Sequence, residues 1–224
     1  MKKTFKLFVA VLMLLGATSA NAQFSQKENN RVPDRFHMGL RFAYTANTST
    51  WENVYSKKGN ALDTKALSFG SFGIGMDFQI APVPLFLETG FYYVNKGFSL
   101  DTDKWKYDEI QHLHMLEMPF VISYHINVAP NLFINPFLGA YYAAGGADGD
   151  LWEDIDTDDA LSDYGLRFGC GLNFGRLVIN MGYDLGLAEI EPNKEFISTY
   201  SSKTPTFKTG MFFMTLGFNW AGSR

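Results

Sequence analysis

Along most of this chain a large apolar side chain falls on every second residue, and that alternation limits what it can fold into more than any other feature. Phe36, Met38, Leu40, Phe42 and Tyr44 alternate with His37, Gly39, Arg41 and Ala43. The same period recurs over residues 71–78, 85–96, 116–126, 132–142, 164–174, 177–187 and 212–220. The cleanest case sets Tyr164, Leu166, Phe168, Cys170, Leu172 and Phe174 against Gly165, Arg167, Gly169, Gly171 and Asn173. A period of two places alternate residues on opposite faces of a strand. These segments approach the roughly 9–11 residues that a tilted membrane-spanning strand needs. Between them, long polar segments (about 46–67, 100–111, 145–163 and 189–205) alternate with short turns near 81–84, 127–131 and 175–176. Long loops on one side, short turns on the other and an even strand number predict an eight-stranded antiparallel up-and-down transmembrane β-barrel. Both chain ends then lie on the short-turn, periplasmic side.

The two faces decide between a membrane barrel and a soluble one. One face is a band of Leu, Ile, Met and Phe with no charge in its middle. Tyr44, Tyr124, Tyr142, Tyr164 and Trp220 sit near its strand ends, where interfacial aromatic girdles form. The other face carries glycine, small residues and a few charges, which suits a narrow lumen and not a water-facing surface. Lipid requires such an apolar band, and closure removes the sheet edges that lipid cannot satisfy. The high aromatic share (16%, with 21 Phe) and the 21 Gly also argue against a helix bundle. A net charge of −4 without a basic block gives no footprint for nucleic acid. A single Cys cannot build a disulfide framework or a multi-cysteine zinc site, and Cys170 reads as a small apolar residue facing lipid.

The N-terminus supplies the route. Lys2, Lys3 and Lys6 precede an apolar run from Leu7 to Leu15, and Ala20-Asn21-Ala22 fits the small-residue pattern at which a signal peptidase cuts. The run is too short to span a bilayer. The expected division is a signal peptide over 1–22, a periplasmic N-terminal segment over 23–34 and the barrel over 35–224.

Two stretches carry a family resemblance. Leu87-Glu88-Thr89-Gly90-Phe91-Tyr92-Tyr93-Val94-Asn95-Lys96-Gly97-Phe98 resembles the third strand of the PorT-like outer-membrane β-barrel family. Leu116-Glu117-Met118-Pro119-Phe120-Val121-Ile122-Ser123-Tyr124 resembles its fourth, with Ser123 where the family usually has a basic residue. The fifth strand, Asn135-Pro136-Phe137-Leu138-Gly139-Ala140-Tyr141, is similar in layout. The resemblance implies an eight-stranded barrel in the outer membrane, in a family one branch of which is similar to accessory factors of secretion and gliding.

Arg41, Asp77, Glu88, Lys96, Glu117, Arg167 and Asp184 all fall on the inward face. Charges in so narrow a lumen must pair or hydrogen-bond, and the expected outcome is a salt-bridged plug. A polar track for ions or small solutes is the alternative. One pairing follows from a turn. Phe174 and Leu177 flank Gly175-Arg176, a type II′ hairpin signal, and counting outward sets Arg167 opposite Asp184, with Glu117 as the second acceptor. The glycines beneath should leave room for the guanidinium.

The remaining candidates are weaker. His112 and His114 share one side of a strand near Asp108 and Glu109, which a metal or a hydrolytic pair could use. No nucleophile motif accompanies them, so rim polar groups are expected. His37 and His125 read as satisfied lumen residues. The acidic loop holds Asp148, Asp150, Glu153, Asp154, Asp156, Asp158, Asp159 and Asp163. Asp154, Asp156 and Asp158 fit the first positions of a calcium loop, but Asp159 replaces its Gly and Gly165 its Glu. The loop is expected to be solvated, with loose divalent-cation binding beside lipopolysaccharide as an option. The sequence thus reads as a non-enzymatic, cofactor-free, monomeric outer-membrane barrel, set in lipid and lipopolysaccharide, with loops for structural or interaction roles. Envelope or secretion proteins are the expected partners. A narrow channel is the second reading and an outer-membrane enzyme the third.

Overall fold

A computed structural model describes residues 36–52, 64–100, 110–148, 152, 161–192 and 206–222. The expected signal peptide, the segment 23–34 and Asp154, Asp156 and Asp158 lie outside the described residues.

The strands are β1 (Phe36–Glu52), β2 (Thr64–Lys65), β3 (Leu67–Gln79), β4 (Leu85–Asn95), β5 (Phe98–Leu100), β6 (Ile110–Tyr124), β7 (Ile126–Ala129), β8 (Leu132–Asp148), β9 (Leu161–Phe174), β10 (Leu177–Gly186) and β11 (Thr206–Gly222). Eight of them close into a barrel, each paired antiparallel with its neighbours in the order β1, β3, β4, β6, β8, β9, β10, β11 and back to β1. Closure leaves no free edge, which is what a bilayer demands. The three short strands are attachments. β7 continues the line of β6 past a break at His125, whose N–H donates to the Pro84 carbonyl (2.8 Å). β2 pairs with β5, and β5 with β6.

Alternation decides the faces as expected. Leu40, Phe42, Phe72, Ile74, Phe91, Leu116, Phe120, Leu138, Phe168 and Leu216 are exposed on the outside, while the residues between them are buried. The five aromatic residues expected near the strand ends are exposed as well. The strands outrun the apolar band. β1, β8 and β11 are 17 residues long and β6 is 15. Segments expected to be loop from Ala46 and Gly145 instead stay paired to Glu52 and Asp148. Polar composition marks where lipid ends, and a closed ladder satisfies its backbone equally well above that level.

The β9–β10 turn sets the register. Gly175 adopts φ +58°, as the first position of a type II′ turn requires, and Phe174 faces Leu177. Every following pair obeys the same count up to Arg167 opposite Asp184. The glycines nearest that pair serve a different purpose from the one expected. A Cβ on Gly169 would stand 2.5 Å from Phe137 Cζ, and one on Gly182 would stand 2.6 Å from Phe213 Cζ. They are sockets for two phenyl rings, which stack at 6.3 Å across the lumen. The guanidinium lies above, 4.6 Å from the Phe213 ring.

Candidate functional site

The lumen is layered. At the end of the barrel that carries the long connections lies an apolar cap in which Trp51, Phe98, Trp152 and Phe207 meet. Trp51 stacks on Phe207 at 4.8 Å, Phe98 meets it edge-on at 5.1 Å, and Trp152 lies 6.0 Å away. Leu113, Met115, Ile190 and Met211 complete the cap. Trp51 comes from the extension of β1, Phe98 from β5 and Phe207 from β11, while Trp152 and Ile190 lie outside the named strands, Ile190 bridging to Phe207.

Directly beneath is a buried ion network. Arg167 donates from Nε to Asp184 Oδ1 (2.7 Å), and from one terminal nitrogen to Asp184 Oδ2 (2.5 Å) and to Glu117. Lys96 Nζ reaches Glu117 Oε2 and Asp163 Oδ2, each at 2.9 Å, and lies 3.7 Å from the centre of the Tyr141 ring. Asp163 Oδ2 also accepts from the Tyr141 hydroxyl (3.1 Å) and from Thr209 Oγ1 (2.7 Å). Such contacts allow five charges to persist where water is scarce. Asp163 corrects the sequence reading. It was grouped with the solvated acidic loop, yet it is fully buried as the third carboxylate of this network. The overlooked signal is its parity: Asp163 stands on the inward row with Gly165 and Arg167.

A second layer of Val121, Phe137 and Phe213 follows. Below it the remaining charges form a separate group, so the seven inward charges make two clusters and not one. Arg41 lies 3.8 Å from Asp77. Asp77 and Glu88 stand directly opposite across the β3–β4 ladder. His37 Nδ1 is 3.9 Å from Asp77, and His125 Nε2 is 3.5 Å from Glu88. Phe86 is fully buried between the two imidazoles, at 6.0 Å from His37 and 4.0 Å from His125. Ser123 Oγ approaches His125 Nε2 at 3.1 Å, the same nitrogen that faces Glu88. A Ser-His-carboxylate relay needs the two partners on opposite ring nitrogens, so this trio lacks the geometry.

His112 and His114 are held apart from both clusters, on the outward row of β6. Asn95 Oδ1 accepts from the N–H groups of Gly97 (3.0 Å) and Leu113 (3.2 Å), which turns its amide nitrogen toward His112 Nδ1 (2.9 Å). His112 Nδ1 must then accept, and the ring proton sits on Nε2. His114 Nδ1 bonds the Tyr93 hydroxyl at 2.6 Å. In this arrangement neither ring offers a free Nδ1, and the two rings stack at 5.6 Å. Among the described residues no three His, Cys, Asp or Glu side chains gather into a metal-binding group.

A cavity of about 50 Å³ remains between the two clusters, enough for a few water molecules, lined in part by Thr45, Ser71, Glu88, Tyr92, Glu117 and Thr215.

With closure, an apolar exterior and a filled lumen established, the family comparison can be weighed. The model of an outer membrane protein β-barrel domain matches residues 21–191, well over half of the chain. The chain belongs to this outer-membrane β-barrel family. Its fold is similar to that of the outer membrane protein OprG from Pseudomonas aeruginosa. That likeness has a TM-score of 0.56 at 11% identity over 85% of this chain and 97% of OprG. The E. coli outer membrane protein W aligns with a TM-score of 0.47 at 11% identity, over 85% of this chain and 100% of its own. Identities this low show the fold alone. No curated protein matches the sequence.

Proposed function

We propose that this outer-membrane barrel is a non-conducting, non-enzymatic scaffold that presents its extracellular loops to envelope or secretion partners. The observation that carries this reading is the filled lumen. An apolar cap, an ion network, an aromatic layer and a second charged cluster follow one another along the axis, and the cavity between the two clusters measures only about 50 Å³. Eight strands enclose an interior that side chains can fill, and here they fill it. The geometry at Ser123–His125–Glu88, with both partners on one ring nitrogen, favours a non-enzymatic role over a hydrolytic one.

On this reading the chain is a PorT-like barrel, and the resemblance of the motifs around Gly90 and Pro119 supports that. A cleaved signal peptide over 1–22 delivers it, and it stands as a monomer among lipid and lipopolysaccharide.

Reconstitution into planar bilayers tests the central statement. The expected record is flat, without stable current steps. Defined, repeated steps would establish the narrow-channel reading instead. Protease added to whole cells tests the orientation: cleavage is expected within 149–160 and not at Arg176, and the reverse pattern would invert it.

A further inference from the structure

Between its two charged layers the lumen is electrostatically incomplete. Among the described residues, the upper layer sets Lys96 and Arg167 against Glu117, Asp163 and Asp184. The lower layer sets Arg41 against Asp77 and Glu88, with the His37 and His125 imidazoles counted as neutral. Each layer therefore holds one carboxylate more than it has cations. Excess charge held away from water is costly unless something neutralises it. The cavity of about 50 Å³ lies between the two excesses, and Glu88 and Glu117 both reach its lining.

Much of the remaining lining consists of oxygen acceptors. Thr45 and Ser71 are buried, and each spends its hydroxyl proton on a backbone carbonyl, that of Phe69 at 3.2 Å and that of Tyr93 at 2.7 Å. Lone pairs are then all that these two oxygens can offer to the cavity. Thr215 lines the same space and is only 8% exposed, yet its hydroxyl has no hydrogen-bond partner among the described residues. The Tyr92 hydroxyl has none there either, and it occupies room that Gly75 leaves free, since a Cβ on Gly75 would stand 2.7 Å from it. Arg167, the cation of this lining, is already committed to Asp184 and Glu117, so it has little to give an anion. Glu88 makes only a long contact, 3.5 Å to His125, and its charge remains available.

We propose that this cavity is a binding site for one monovalent metal cation, sodium or potassium, held by the hydroxyl oxygens of the lining beside the charge of Glu88. Hard cations take oxygen ligands, and protein oxygens can replace part of the hydration shell of a monovalent ion. The cavity has room for the ion and a water molecule or two. A transition metal would ask for a group of imidazoles, thiolates or carboxylates, which the described residues do not assemble. The ion reaches the site from the short-turn end, where the Glu88 and His37 side chains stay 15% and 17% exposed. The site goes beyond the scaffold reading and fails separately from it, because an ion that binds and stays carries no current.

The test is urea unfolding of the detergent-folded protein in sodium chloride, potassium chloride or choline chloride, all at one ionic strength of about 0.1 M. Screening is then equal in the three salts, and choline is too large for the cavity. An ion that binds only the folded state, present at about twice its dissociation constant, lowers the unfolding equilibrium constant about threefold. Sodium or potassium is expected to produce a change of that order relative to choline. Thr215→Val and Tyr92→Phe keep the shape of the lining and remove one oxygen each. Together they should leave the midpoint in choline nearly where it was and abolish most of the sodium or potassium increment, and each alone should lose part of it. The pair Asp154→Asn and Asp156→Asn in the acidic loop should keep the increment whole. Equal midpoints of the unsubstituted protein in the three salts would overturn the proposal and leave protons to neutralise the lumen. An increment that survives Thr215→Val with Tyr92→Phe, or that vanishes with the loop substitutions, would overturn it too, because the ion would then sit elsewhere.

Discussion

The two charged layers of the lumen contain the same chemistry and differ in construction. In the upper layer the ion-pair contacts are 2.9 Å or shorter, and Lys96, Glu117, Asp163 and Asp184 are each at most 1% exposed. In the lower layer the contacts run from 3.5 to 3.9 Å, and the Glu88 and His37 side chains keep 15% and 17% of their exposure. An apolar cap seals the first from above, whereas the second lies toward the short-turn end of the barrel. Charge alone therefore does not determine what a lumen residue contributes. The upper layer is a dry structural knot of short contacts, and the lower is a looser group whose Glu88 and His37 side chains stay partly exposed.

The largest effect should come from cutting the knot. Among the described residues, Arg167→Met removes the one cation at hydrogen-bond distance from Asp184 and leaves Glu117 with Lys96. Stranding a buried carboxylate should cost about 3–5 kcal/mol. Urea unfolding of the detergent-folded protein, followed by tryptophan fluorescence, would measure it. A loss under about 1 kcal/mol would mean that water screens the pair, and would erase the contrast between the layers.

The cap should come close behind. Phe207 is fully buried and touches Trp51, Phe98 and Trp152. Phe207→Ala should destabilise by about 3 kcal/mol through lost burial and the cavity left behind. It should also raise the sensitivity of Arg167→Met to urea less than additively, because a cap that admits water relieves the stranded carboxylate beneath it. A double-mutant cycle in the same assay decides this, and strict additivity would show that the cap and the knot act independently.

The sequence discloses the barrel more fully than its contents, for physical reasons. A period of two fixes which residues face lipid, and one Gly-led turn fixes a register, so the Arg167–Asp184 contact follows by counting. Strand ends are less legible, because pairing continues past the lipid boundary wherever the backbone can still be satisfied. Trp51 and Asp163 fall in segments expected to be loop for that reason. The division into two clusters was hidden for another reason. It depends on Phe137 and Phe213, whose place between the charges is set by strand tilt and by the glycine sockets across the barrel, and no single strand records that.

The smallest expected effect is the most informative about the lower layer. Asp77 and Glu88 face each other directly, and like charges in that position repel. Arg41 at 3.8 Å from Asp77 offsets part of this, and His125 lies 3.5 Å from Glu88. Glu88→Gln keeps the shape, loses the repulsion and gives up only long contacts, so stability should change by less than about 1 kcal/mol. Salt supplies the sharper reading. The Debye length falls from about 10 Å at 0.1 M to about 3 Å at 1 M, so whatever difference exists at low salt should shrink when salt reaches the cluster. The Arg167→Met difference should hardly move, because ions do not enter the knot. A Glu88→Gln effect of several kcal/mol that ignores salt would show that the periplasmic end is as dry as the upper layer, with the long contacts closing in the membrane.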